Sequence, residues 1–253
     1  MYKTVPNTLF LGKDVMYLPS CHSTNSYLSS LLASEELNDG FVLITDTQLA
    51  GQGQMGTTWE AEPYKNLTFS LYLKTEWLAI RYQFYISMVV ALAIKETLAI
   101  YIKDDIHVKW PNDIFIKKSK IAGVLIKNTI VSNKIKNTIV GIGLNINQLN
   151  FSYPLATSIL KITSKVNQPN QVFSVLLTAI EKYYLELKNH NFQYIKNLYE
   201  DSLFQNNNKA QYIIKGNLQE AIIKGVEDSG MLKMLIGDEI KHFDLKEIKF
   251  VNS

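Results

Sequence analysis

Hydrophobic and polar positions along this chain fall into short runs and alternations, broken by a few helical patterns. Residues 15–20 (VMYLPS) read as a short strand. Ser23, Thr24 and Asn25 suit a helix start, because their side chains accept from amide groups that lack an intrahelical partner. Tyr27, Leu28, Leu31 and Leu32 then recur at helical spacing. Phe41–Thr45 is an apolar, β-branched run and predicts a strand, as does the alternation LTFSLYL at Leu67–Leu73. Between them lies a glycine-punctuated loop, Gly51–Thr58. About Trp77 to Ile102 runs a long apolar helix, and strands are predicted at His107–Trp110, Ile114–Ile116, Ile121–Lys127 and Thr138–Ile146. Gln171–Tyr199 is helical again, with Phe173, Leu176, Leu177 and Ile180 on one face.

The texture changes at the polar run Gln205-Asn206-Asn207-Asn208, which reads as a linker. Beyond it, AQYIIKG, EAIIKGVED, MLKMLIGD and IKHFDLKEIKFV are short strands separated by Gly, Asp and Asn. Their spacing predicts a small SH3-like β-barrel of about 45 residues. The expected class is therefore α+β, with a mixed β-sheet flanked by helices in residues 1–207 and the barrel in residues 208–253.

At 253 residues and 47% hydrophobic content the chain can bury a normal core. The net charge of +3 is mild and argues against a general nucleic-acid binder. Charge is uneven, however: Lys103–Lys136 holds eight lysines against Asp104, Asp105 and Asp113. Such a stretch is either a solvated face or a field that attracts phosphates or an acidic partner. The single cysteine, Cys21, excludes a disulfide within the chain and fits a reducing, cytoplasmic setting. The N-terminus lacks a signal-peptide pattern, and the apolar run at Ile86–Ile102 carries Lys95 and Glu96, so it reads as a buried helix and not a membrane span. His22, His107, His190 and His242 are scattered, without the spacing of a zinc site.

GQGQMG at Gly51–Gly56 matches G-x-G-x-x-G, but a proline and a strand follow where a dinucleotide-binding loop needs a helix. The glycines still let a backbone wrap closely around a ligand, or else form an ordinary surface loop. Lys109-Trp110-Pro111-Asn112-Asp113 is a compact polar turn at a strand end. Lys120-Ile121-Ala122-Gly123 opens an apolar strand with a lysine that is either a solvated edge residue or a fixed cation. Gly141-Ile142-Gly143-Leu144-Asn145-Ile146-Asn147 is a strand whose glycines permit close approach.

In this order and spacing, STN at Ser23–Asn25, TQLAGQGQMGTTW at Thr47–Trp59, KWPND at Lys109–Asp113, KIAG at Lys120–Gly123 and GIGLNIN at Gly141–Asn147 resemble the biotin–protein ligases. The resemblance covers about residues 15 to 150 and extends less specifically to the C-terminal barrel. It implies the class II synthetase-like catalytic fold of that family. It also implies that biotin and ATP are joined as biotinyl-5′-AMP, and that a lysine of a biotin carboxyl carrier domain then takes the biotin. Lys120 would meet both the biotin carboxylate and the α-phosphate, as a compact charge with three donors. Ser23, Thr24, Asn25 and Gln48 would hold the ureido ring, whose donors and acceptor such a set can satisfy. Gly51, Gln52, Gly53, Gln54 and Trp59 would close over biotin, with Gly123 giving it room. Gln54, Trp110, Asn112, Asp113 and Asn145 would surround the ATP, with magnesium near Asp113.

Two departures qualify the resemblance. The family loop is GRGRRG, whereas Gln52 and Gln54 stand at the arginine places here. Arginine offers a charged fork where glutamine offers only dipoles, so either a nearby lysine compensates or activity is weak and the protein only binds biotin. Some members also carry an N-terminal helix-turn-helix, which the 22 residues before Ser23 cannot hold, so a ligase-only type without operator DNA binding is expected. A lipoate or octanoate ligase or transferase relative is the alternative enzyme, against which KWPND and the glycine loop speak. The sequence leaves the oligomeric state open, with a homodimer among the arrangements it allows.

Overall fold

A computed structural model describes residues 6–251. The chain runs β1 (Val15–Cys21), α1 (Thr24–Ser34), β2 (Val42–Gln48), β3 (Leu67–Lys74), α2 (Phe84–Tyr101), β4 (Ile106–Lys109), β5 (Asp113–Ile116), β6 (Ser119–Val131), β7 (Lys134–Leu144), α3 (Ile159–Thr163), α4 (Pro169–Lys188) and α5 (Phe192–Asp201). Five strands follow: β8 (Lys209–Ile214), β9 (Asn217–Val226), β10 (Leu232–Ile236), β11 (Glu239–Phe243) and β12 (Ile248–Phe250).

The first seven strands form one mixed sheet in the order β1-β2-β3-β7-β6-β5-β4. β1 and β2 are parallel and the other neighbours antiparallel. Alternation along each strand decides which face a side chain joins. Ile44, Phe69, Leu71, Val140, Ile142 and Leu144 turn toward the larger core, which α2 and α4 cover. Leu43, Tyr72 and Ile139 turn the other way and meet Leu28 of α1 in a smaller core. Because α1 is only 11 residues long, it covers one end of that second face. The site lies beyond its N-terminus.

α2 confirms the expectation of a buried apolar helix, since Ile86, Met88, Val89, Val90, Ala91, Ala93, Ile94 and Leu98 are fully enclosed. It begins at Phe84, after a 3₁₀ turn at Ile80–Tyr82, and so starts later than the periodicity suggests. Trp77 packs instead at a turn, where its indole N–H donates to Lys74 O at 3.1 Å. The helix predicted over Gln171–Tyr199 is two helices. The break is Asn189-His190-Asn191, where His190 adopts φ 63°, a left-handed conformation that Asn and His tolerate better than most residues. β6 and β7 are longer than predicted and form a hairpin whose Ser132 and Asn133 both have positive φ, as a two-residue type I′ turn requires.

The last five strands pair in the order β11-β10-β9-β8-β12, antiparallel throughout. The count and pairing fit the small module read from the sequence. No pair closes β11 onto β12 among the described residues, so the module is a row of strands and not a closed barrel. Its apolar residues, including Tyr212, Ile223, Val226, Leu232 and Met234, belong to the same core as the first sheet. Polar ties reinforce the joint: Tyr85 donates to Asp228 at 2.9 Å and Lys196 pairs with the same carboxylate at 2.8 Å. Trp110 donates its indole N–H to Gly230 O at 2.9 Å.

Replacing Trp110 by Phe would leave that buried carbonyl without its donor, at a cost of about 1–2 kcal/mol. For a chain of this size a melting-temperature drop of about 2–8 °C is expected. An unchanged melting temperature in scanning calorimetry would show that the bond contributes nothing to holding the two sheets together.

Candidate active site

The open face of the first sheet carries a cavity of about 870 Å³. Its floor follows from alternation on β7. Gly141, Gly143 and Asn145 face the cavity, while Val140, Ile142 and Leu144 reach the core on the opposite face. The two glycines admit two different side chains. A Cβ on Gly141 would come within 2.5–2.8 Å of the Asn25 amide. One on Gly143 would overlap the Trp59 indole, which also rests against Gly123 on the neighbouring strand.

One end of the cavity is built at the start of α1. Ser23 caps the helix, and Thr24 N–H donates to Gln48 Oε1 at 2.9 Å. Asn25 donates to Leu125 O at 3.0 Å and accepts from the Ser70 hydroxyl at 2.6 Å, which fixes its amide orientation. Ser23, Thr24 and Asn25 are buried, so their polar atoms are held and not mobile. The Gln48 amide nitrogen is turned toward Gly51, where a Cβ would come within 2.7 Å of it.

The glycine loop folds back as a small hairpin. Trp59 N–H donates to Gly51 O at 3.0 Å, Gly53 N–H donates to Thr57 O at 2.7 Å, and Gln52 bridges Thr58. Gln52, Gly53, Gln54 and Trp59 all line the cavity; Gly51 lies behind them, packed against the Trp59 carbonyl. The indole N–H of Trp59 is buried without a hydrogen-bond partner among the described residues. The Lys127 ammonium donates to Gln52 Oε1 at 3.2 Å, which brings a cation to the loop position where the sequence has lost one.

The opposite end is charged. Lys120 pairs with Asp113 at 2.7 Å, and its ammonium lies 5.7 Å from the Trp59 ring centroid. Lys109 also lines the cavity, and burial pushes its ammonium below the ordinary lysine pKa, an effect that Asp113 opposes. Asn145 donates to Thr157 O at 3.0 Å, while its carbonyl oxygen is buried with no partner among the described residues. An orphaned acceptor in a cavity wall is expensive unless a ligand donor or cation meets it.

Two residues of the KWPND motif are placed elsewhere. Trp110 is buried with its N–H on Gly230, and Asn112 is buried with its amide donating to Val124 O. Neither lines the cavity, so neither contacts a nucleotide in this conformation, contrary to the expectation from sequence. The cis Trp110–Pro111 peptide belongs to the turn that aims them inward.

Sequence reasoning missed the wall formed by Phe151, Ser152, Tyr153 and Ala156. This segment has no motif or periodicity. Backbone bonds carry it to the site: Lys120 N–H donates to Leu155 O at 2.7 Å and Thr157 N–H to Lys120 O at 2.9 Å. Ser152 N–H also donates to Glu60 at 3.0 Å, next to Trp59. Among the described residues no group of three or more His, Cys, Asp or Glu side chains is placed to hold a metal.

Fold and site together define an α+β small-molecule-binding protein whose one cavity has a hydrogen-bonding end and a cationic end. The model of the biotin/lipoate A/B protein ligase family matches residues 17–145, and the chain belongs to that family. The bifunctional ligase/repressor BirA of Bacillus subtilis (strain 168) is 25% identical over 240 residues, covering 92% of this chain and 73% of BirA. The biotin–[acetyl-CoA-carboxylase] ligase of Mycobacterium tuberculosis is 27% identical over 219 residues, covering 85% and 80%. Among solved structures, the biotin protein ligase from Aquifex aeolicus in complex with biotin and ATP shares the fold, with a TM-score of 0.79 at 24% identity, covering 95% of this chain and all of the other.

Proposed function

We propose that the protein is an ATP-dependent biotin–protein ligase. The observation that carries this reading is that side chains from all five sequence motifs, separated by more than a hundred residues, line one cavity. In the first step a biotin carboxylate oxygen bonds to the α-phosphorus of ATP and pyrophosphate leaves. In the second, an acceptor lysine nitrogen bonds to the acyl carbon and AMP leaves. The acid is activated without attachment to the enzyme, so no protein nucleophile is required.

Thr24, Asn25 and Gln48 supply fixed donors and acceptors to the ureido ring, and Trp59 supplies an apolar wall. Lys120 stands where two anions converge and offsets their repulsion. Phe151 and Tyr153 offer aromatic faces to an adenine. Asp113 and the unpartnered Asn145 oxygen suit a magnesium ion, which takes most of its ligands from phosphates and water and needs few from protein. When bound it would neutralise phosphate charge. The acceptor is a biotin carboxyl carrier domain.

Lys127 supports full activity over biotin binding alone, since it restores a cation at the glutamine-bearing loop. Because that contact is exposed, its contribution is at the low end for a charged hydrogen bond. Lys127→Ala is expected to speed release of biotinyl-5′-AMP about 2- to 10-fold, and Gln52→Arg to reverse this in the Lys127→Ala background. Stopped-flow dissociation reads both, and an off-rate indifferent to Lys127 would refute the compensation.

The reading as a whole is tested by incubation with labelled biotin, ATP and magnesium, followed by addition of a carrier domain. Pyrophosphate, biotinyl-5′-AMP and then an amide-linked label are the expected products. Their absence from an intact, folded protein overturns it.

A further inference from the structure

Lys109 ends β4 at the edge of the first sheet, yet its ammonium is tied to both sheets. It lies 4.8 Å from the Phe115 ring centroid and 5.1 Å from that of Phe250, on β12. Phe250 is held in turn by Tyr212 at 5.3 Å and Phe204 at 6.5 Å, and Phe204 also reaches Phe115 at 6.1 Å. An aromatic cluster drawn from both sheets is thus the seat of one lysine. That ammonium has no hydrogen bond or ion pair among the described residues. Its strand partner Asp113 is already committed to Lys120 at 2.7 Å.

A cation partly withdrawn from water and resting on ring faces keeps its three donors for something else. Strand order says where that something lies. Across the sheet come Ser70 on β3, Gly141 on β7, Gly123 on β6, Asp113 on β5 and Lys109 on β4, with facing pairs Ser70–Gly141, Asp113–Gly123 and Lys109–Asp113. Each step is about 4.8 Å. The ureido end lies over the first two positions and the reacting carboxylate near Lys120. A chain of phosphates continuing outward from the reaction centre arrives at Lys109.

We propose that Lys109 binds the outer phosphates of the nucleotide, and the pyrophosphate they become, and that Phe250 of the second sheet is the positioning residue that keeps it there. The proposal rests on the ligase reading for its ligand, and it explains what the second sheet does for a site to which it adds no motif.

The test uses the full chain as wild type, Lys109→Gln, Lys109→Arg, Phe250→Leu, Phe250→Tyr and the Lys109→Gln/Phe250→Leu double variant. Calorimetric titration with ATP and with inorganic pyrophosphate, without biotin, reads the anion site independently of turnover. Lys109→Gln should weaken both about 10-fold or more, and Lys109→Arg less. Phe250→Leu should weaken them about 2- to 5-fold, with Phe250→Tyr restoring them. The double variant should be no weaker than Lys109→Gln alone. In turnover the KM for ATP should rise in Lys109→Gln while the KM for biotin stays within about twofold. ATP and pyrophosphate affinities unchanged by Lys109→Gln, additive losses in the double variant, or an equal loss of biotin affinity would each overturn the proposal. If wild type binds pyrophosphate through Lys109 yet makes no biotinyl-5′-AMP, the ligase reading fails and the anion site stands.

Discussion

Lys120→Ala is expected to lower the rate of biotinyl-5′-AMP formation by about 10³-fold or more, with the fold intact. Removing a single preorganised donor to a developing charge costs about 10²–10³. Lys120 does more than donate, because it also neutralises Asp113 at 2.7 Å. Without it an uncompensated carboxylate would face the incoming carboxylate and phosphate, so an attraction becomes a repulsion. Lys109 does not replace it, since its ammonium is seated on Phe115 and Phe250. The side chain is partly exposed and lies outside the apolar core, so the melting temperature should change little. Pyrophosphate release in the presence of biotin, measured beside calorimetric unfolding, checks both statements. Release within about tenfold of wild type would remove Lys120 from the chemistry.

How much of this site was legible in the sequence depends on what each residue type reveals by itself. GIGLNIN announces its two faces: small residues and Asn145 on one side of a strand, Ile142 and Leu144 on the other. The Ser23–Asn25 segment announces a helix start, and that start proves to be one end of the cavity. KWPND announces a turn but not which of its side chains face the ligand. Trp110 and Asn112 turn inward and brace the protein, while Lys109, which carried no assignment, points into the site. Only the pairing of β4 with β5 and the arrival of Phe250 from the second sheet settle that orientation, and neither is local. The wall at Phe151–Ala156 was illegible for a related reason. It is irregular chain placed by backbone bonds to Lys120, and such bonds leave no trace in residue type. Lys127 was one of several lysines that could have served the loop, and geometry singles it out.

Gly143→Val is expected to weaken biotin binding about 30- to 150-fold while the protein remains folded. Gly143 pairs with Thr68 on one side and Gly123 on the other, so its backbone is locked in the middle of the sheet and cannot retreat. A Cβ there would overlap the Trp59 indole, and valine adds two further methyl groups in the same direction. The indole must leave, and with it goes the anchor of the hairpin from Gly51 to Trp59. Losing a large aromatic contact from a binding site is worth about 2–3 kcal/mol, which gives the stated range. The core on the opposite face, including Ile142 and Leu144, is untouched, so stability should fall far less than affinity. Gly141→Ala should act at the other end, displacing the Asn25 amide from Leu125 O and Ser70. Its effect should fall on recognition of the ureido ring and leave Trp59 in place. Tryptophan fluorescence separates the two: Gly143→Val should shift the emission toward that of a solvated indole, and Gly141→Ala should not. Biotin affinity within about twofold of wild type in Gly143→Val, with the emission shifted, would show that Trp59 forms no wall of the biotin site.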